Sequence, residues 1–118
     1  MWLFTKQGFF SVVSKDFSKD EILIKTRSKN DLINLCQKLK IDTEKVQEDF
    51  DNYPFQLVVK KDIFISYLSD YVYEIDYESV QDNIIVDKDN ERKKAYKTIW
   101  QAMYNWMGIE SKAFNSND

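Results

Sequence analysis

The pattern of apolar and polar positions predicts three strands in the first quarter of the chain. Residues 2–6 and 9–14 are rich in aromatic and β-branched side chains, and Gln7-Gly8 separates them, which indicates a tight hairpin. Because glycine tolerates a positive φ, we expect Gly8 to use that freedom in the turn. A polar connection over 15–20 leads to a third strand over 21–27.

Two amphipathic helices and a further strand are predicted next. Leu32, Leu35, Cys36 and Leu39 recur at helical spacing after the N-cap candidates of 28–30. Residues 42–51 fit a helix or a strand, and a strand is favoured. After a strand over 55–60, Asp62 is expected to cap a second helix. Its apolar stripe consists of Phe64, Tyr67, Leu68, Tyr71 and Ile75.

The last predicted helix runs from about residue 91 to 107. Its apolar face consists of Tyr96, Ile99, Trp100, Met103, Trp106 and Met107. Gly108 stands where a left-handed C-terminal cap is expected. The predicted organisation is therefore a single domain over 1–108, followed by a polar, mobile tail over 109–118.

This element order predicts an α+β fold. We expect an antiparallel sheet of four to five strands with two helices on one face, plus the long C-terminal helix. From Phe9 onward, the order ββαββα is a circular permutation of the ferredoxin-like fold. In that arrangement the strand over 9–14 lies beside the strand over 22–27.

Composition excludes much catalytic chemistry. The 118 residues contain no histidine and one cysteine, so a Ser-His-Asp triad, a Cys-His dyad and a His-ligated metal are impossible. No phosphate-binding loop or Gly-rich dinucleotide motif is present. We therefore expect a protein that is not an enzyme and has no cofactor and no metal.

Membrane and export signals are not expected in this chain. No apolar run approaches 18 residues, and the start lacks the pattern of a secretory signal. Cys36 cannot form an internal disulfide bond. These features predict a cytoplasmic protein that does not bind membranes.

An acidic region follows the second helix. Residues 1–61 carry 11 basic and 9 acidic side chains, whereas 62–118 carry 6 and 11. Asp70, Glu74 and Glu78 lie at four-residue spacing, and carboxylates so placed repel one another. A partner's basic surface would relieve this repulsion, as would Mg²⁺, while a solvated helix face is the plainer alternative. The predicted partner-binding residues are Asp70, Glu74, Asp76, Tyr77, Glu78, Trp100 and Tyr104.

Aromatic residues are unusually dense in the two later helices. Such rings pack a core or anchor a protein interface. Because the last helix is apolar over more than half its circumference, a second copy of the chain can bury part of it. A homodimer through this helix is therefore one predicted partnership.

A nucleic-acid or nucleotide-binding domain is the alternative. Strand residues Lys25, Arg27, Lys60 and Lys61 would supply positive charge on an open sheet face. Phe9 and Phe55 would stack on bases.

Three segments together resemble a family of small bacterial proteins of uncharacterised function. They are Met1-Trp2-Leu3-Phe4 with the Gly8-Phe9-Phe10-Ser11-Val12-Val13 strand, the Ile75-Asp76-Tyr77 motif, and the closing helix over 95–104. Ser79-Val80-Gln81 departs from the Asn-Phe-Lys of the family. The resemblance implies a compact cytoplasmic domain and no known activity, with Trp2, Phe4, Gly8 and Phe9 as its structural signature. It also draws attention to Asp76 and Tyr77.

The sequence thus predicts a small protein-interaction module, such as an inhibitor or regulator. It would bind a protein partner through an aromatic and acidic helical surface.

Overall fold

A computed structural model describes residues 1–75 and 86–115 of the chain, with side chains described over 1–75 and 90–112. It contains five strands and three helices within these residues. They are β1 (Trp2–Thr5), β2 (Gly8–Ser14), β3 (Glu21–Thr26), α1 (Lys29–Leu39), β4 (Gln47–Glu48), β5 (Phe55–Lys60), α2 (Lys61–Tyr73) and α3 (Val86–Asn115).

The fold is α+β, as predicted. The five strands form one antiparallel sheet in the order β1-β2-β3-β5-β4, and α1 and α2 pack against it. The ambiguous segment over 42–51 contains a single 3₁₀ turn and then the two-residue strand β4. The chain divides into two compact units, Met1–Tyr77 and Glu78–Asp118, so the predicted domain boundary at residue 108 does not coincide with this division.

The core lies between one sheet face and the helices α1 and α2. Side chains alternate between the two faces of a strand, and the register aligns Val12 with Ile24 and Ile24 with Leu57. These residues pack together with the apolar stripe of α1 and with Phe64 of α2. We call the opposite side of the sheet, which carries Trp2, Phe9 and Lys25, the second face.

The β1–β2 turn differs from the prediction for Gly8. No glycine among the described residues has a positive φ, so the expected left-handed turn is wrong. The Thr5 hydroxyl organises the turn instead. It accepts hydrogen bonds from the N–H groups of Gln7 and Gly8, each at 3.1 Å, and donates to the Gly8 carbonyl at 3.0 Å.

Helix α1 begins as predicted at a capped residue, but α2 does not. The Ser28 hydroxyl accepts the Asp31 N–H at 3.2 Å. Helix α2 follows β5 without a linker, with Lys60 at its N-cap position and no side-chain cap. Asp62 therefore lies within the first turn, where a carboxylate faces the positive end of the helix dipole.

Helix α3 is longer than predicted. It continues through Asn115, so Gly108 is an interior helical residue and not a cap, and 109–115 are helical. A glycine inside an exposed helix lowers the stability of the helix by about 1 kcal/mol relative to alanine. Good helix formers on either side of it can still keep the helix continuous. Within the described residues, no helix combines the length and apolarity needed to span a membrane.

Candidate functional site

A groove lies between the C-terminal end of α1 and the outer surface of α2. Its volume is about 500 Å³. Two neighbouring stripes of α2 form one side, because residues four apart lie on the same helix face. The polar stripe is Asp62, Ser66, Asp70 and Glu74, and the apolar stripe is Ile63, Tyr67 and Tyr71.

The β1–β2 turn fixes the two tyrosines of the groove. The Tyr67 hydroxyl donates a short hydrogen bond to Oε1 of Gln7. The Lys6 N–H donates to the Tyr71 hydroxyl at 3.3 Å. The ring centroids of Tyr67 and Tyr71 are 6.2 Å apart. The β1–β2 turn therefore holds both hydroxyl groups in place.

Burial raises the pKa of the Tyr67 phenol to about 12, and the neighbouring Tyr71 and Glu74 add to the increase. The phenol therefore stays protonated at neutral pH and remains a hydrogen-bond donor. This neutral state suits the position of Tyr67 between the apolar core and a negatively charged stripe.

Two lysines lie on the opposite side of the groove. Lys38 is in the last turn of α1, and Lys40 is its C-cap residue in the left-handed conformation. The cap N–H bonds to carbonyl groups of Cys36 and Gln37 and closes the helix there. The groove thus has a carboxylate rim on α2 and an ammonium rim at the end of α1.

The two predicted acids of α2 stand where the helix disfavours them. Asp70 is in the last turn of α2, and Glu74 is its C-cap residue, where the macrodipole is negative. They are four residues apart, so they also repel each other. No basic residue lies in that last turn. A positively charged partner would relieve both effects.

The structure describes two of the other predicted partner-binding residues. Trp100 and Tyr104 lie on α3, in the second compact unit. Asp76, Tyr77 and Glu78 lie outside the described residues.

A row of aromatic rings crosses the second face of the sheet. Phe9 stacks on Phe4 with ring centroids 4.4 Å apart, and it meets Trp2 at 6.3 Å and Tyr53 at 6.4 Å in edge arrangements. Trp2 is 69% exposed. The Lys25 ammonium lies 5.9 Å from the centre of the Tyr53 ring and 3.4 Å from an Asp51 oxygen.

The four cations of the nucleic-acid alternative fall into two pairs at opposite ends of the sheet. Lys25 and Arg27 lie at the end where Thr26 pairs with Phe55, whereas Lys60 and Lys61 follow the end where Glu21 pairs with Lys60. The six residues of β3 separate the pairs by roughly 17 Å.

Phe55 does not share a face with Phe9. It packs against the core on the side of α1 and α2, so the expectation that both rings stack on bases is wrong. The cause is the side-chain alternation of β5, in which Phe55 has the same orientation as buried Leu57 and Val59.

Several groove residues were not among the predicted site residues. The whole polar stripe of α2 could have been found, because its four residues are evenly spaced in the sequence. They are Asp62, Ser66, Asp70 and Glu74. Nothing local indicated Gln7, Lys38 or Lys40, which reach the groove only through the packing of the turn and α1 against α2.

Cys36 is a core residue, as its position on the apolar stripe of α1 indicated. Burial raises the pKa of its thiol, and Asp42 adds to this. The thiol is therefore a poor nucleophile. Over 1–75 and 90–112, no three acidic or cysteine side chains are grouped to hold a metal ion.

Comparison with protein-family models, curated proteins and solved structures finds no match to this chain, so the family resemblance of its motifs stays a prediction.

Proposed function

We propose that this chain is a non-enzymatic protein-interaction module that binds a segment of a partner protein in the groove between α1 and α2. The observation that carries the proposal is that the polar stripe and the apolar stripe of α2 lie side by side, opposite the lysines of α1. Apolar and aromatic groups of a partner would contact Ile63, Tyr67 and Tyr71.

The two rims make the groove selective for charge and direction. A partner segment would place basic side chains against Asp70 and Glu74, and an acidic or carbonyl group against Lys38 and Lys40. Complementary rims of this kind favour one orientation and raise the association rate. The two carboxylates also destabilise the C-terminal end of α2, and a basic partner would offset this effect.

Affinity purification of a tagged chain from its native host, from nuclease-treated lysate, tests this proposal. We expect a protein that co-purifies with the wild type and is lost from the Asp70→Lys, Glu74→Lys double variant. Asp16→Lys with Glu44→Lys is the matched control, since it makes the same charge change at exposed acids outside the groove. Equal capture by both double variants would refute the groove as the binding site.

Lys38→Glu with Lys40→Glu tests the opposite rim. If the partner spans the groove, this variant also weakens capture, although it changes charge in the other direction. Circular dichroism of each variant checks that the fold is retained. If only the α2 variant loses the partner, the proposed binding site would be restricted to the polar stripe of α2.

Nucleic-acid binding is a second candidate, supported by the aromatic row on the second face. Trp2 and Phe9 would stack on bases beside Lys25, with Arg27 near the same end of the sheet. Fluorescence anisotropy with a single-stranded oligonucleotide tests this. Binding that falls steeply with salt and is lost in Trp2→Ala and Lys25→Ala would support it, and no binding at low salt would dismiss it.

We further propose that the Met1–Tyr77 unit is a circularly permuted ferredoxin-like domain. The strand order β2-β3-β5-β4 and the two helices on one face support this. An experimental structure that fails to superpose on a ferredoxin-like domain after permutation would count against it.

A further inference from the structure

One side of α3 presents large apolar side chains to solvent. We call Ile99, Trp100, Met103, Tyr104, Trp106 and Met107 the α3 apolar face. They recur at three- and four-residue spacing, which places them on roughly half of the helix circumference. Each is between 39% and 56% exposed. An apolar surface of this extent on a protein marks an interaction site.

We propose that the α3 apolar face is a self-association surface, on which two copies of this chain pair their α3 helices in antiparallel orientation. This goes beyond the proposed function, because the groove of α1 and α2 takes no part in it.

The area of the face suits a dimer. A large side chain presents about 200 Å², so the six half-exposed residues offer on the order of 600 Å². A stable interface buries about 800 Å² per partner, of which the polar rim supplies the remainder. The Trp100 and Tyr104 rings are already stacked, with centroids 5.1 Å apart, so little side-chain freedom is lost on pairing.

Charge along α3 favours a second copy in antiparallel orientation. Lys93 and Lys97 lie at the N-terminal end of the face, and Glu110 lies at its C-terminal end. A parallel pair would set the two basic ends at the same level. If the two-fold axis passes between Met103 and Tyr104, an antiparallel pair sets the basic end of each copy level with the acidic end of the other, with Lys97 at the level of Glu110. The opposed helix dipoles add to this preference.

The same antiparallel register also matches apolar residues. Trp100 is then level with Met107 of the second copy, and Met103 with Tyr104. Such a pair uses one patch on both chains, as a closed two-fold dimer requires.

The mass of the purified chain, measured by light scattering after size exclusion, tests self-association. We expect twice the chain mass of 14.2 kDa. Met103→Glu buries a charge in the pair and should weaken self-association about 100-fold or more. Gln101→Glu adds the same charge on the opposite side of α3 and should leave the dimer intact. Circular dichroism confirms that both variants are folded.

Orientation is tested with a spin label on Lys93→Cys, at the edge of the α3 apolar face, since Cys36 is buried. In the antiparallel pair the two labels are about 32 Å apart along the axis. In a parallel pair they are about 10 Å apart. The short distance would overturn the antiparallel arrangement.

A monomeric wild type, or a dimer that Met103→Glu leaves unchanged, would overturn the proposal and assign the face to another protein or a lipid surface. Neither result bears on the groove, because different residues form the two surfaces and different variants test them. Asp70→Lys with Glu74→Lys should leave the dimer mass unchanged.

Discussion

Gly8 and Asp31 approach so closely that no other residue fits at position 8 without displacement. A Cβ atom on Gly8 would lie 2.8 Å from both Cγ and Oδ2 of Asp31. The Asp31 carboxylate also accepts the Phe9 N–H at 3.4 Å. The first turn of α1 is thereby joined to the start of β2, and the absent side chain of Gly8 makes the contact possible.

Gly8→Ala should therefore destabilise the protein by about 1–3 kcal/mol, the usual cost of overpacking a filled site. Chemical denaturation measures the free energy of unfolding. The cost should be smaller in an Asp31→Ala background, because two of the three closest atoms are then gone. Equal costs in both backgrounds would show that the contact with Asp31 is not the cause.

Gly108→Ala should have the opposite effect. No atom lies within 4 Å of the position that a Cβ would take, and the residue is inside a helix. Alanine is more favourable than glycine there by about 0.5–1 kcal/mol. Thermal unfolding followed by circular dichroism should show a more stable α3. A loss of helix would mean that residue 108 ends α3 after all.

Glu74→Gln should separate stability from binding. Removing a carboxylate from the negative end of α2 and from Asp70 should stabilise the isolated protein by about 0.3–1 kcal/mol. The same change should weaken capture of the partner. Glu44→Gln, outside the groove, is the control for both measurements. A variant that is more stable and still captures the partner fully would show that Glu74 is not part of the binding site.

Alkaline pH should destabilise the protein partly through Tyr67. Its folded-state pKa, about 12, is higher than the ordinary value of 10, so its contribution is fully present below pH 10. That contribution is lost as the pH rises toward 12. Tyr67→Phe should show a shallower fall of the free energy of unfolding over this interval. If the free energy of unfolding fell equally steeply with pH in the wild type and in Tyr67→Phe, the Tyr67 phenol would be exposed to water in the folded protein.

The strands and helices of the core were predictable because their patterns are local. Alternation placed β2, β3 and β5, and the spacing of Leu32, Leu35 and Cys36 placed α1. The direction in which Phe55 points was missed, although the alternation of β5 places it on the same face as Leu57 and Val59. The end of α3 was also missed, since a single glycine does not stop an otherwise favourable helix.

The groove was only half predictable. Asp70 and Glu74 stand out by their spacing, which depends on nothing but the helix period. Gln7 and Lys38 are at least 23 residues before Lys61, the first residue of α2, and only tertiary packing brings them near Tyr67. The role of Gly8 escaped prediction for the same reason, since its neighbour Asp31 is on another element.

The direct junction of β5 and α2 makes the groove intolerant of insertions. Because Lys60 ends the strand and Lys61 begins the helix, nothing between them can absorb an added residue. One extra residue at this junction would turn α2 by about 100° about its axis. Asp70 and Tyr71 would then leave the groove together while the sheet kept its pairing. Length variation in any homologous chain should therefore fall in the loops before β5 and never at this junction.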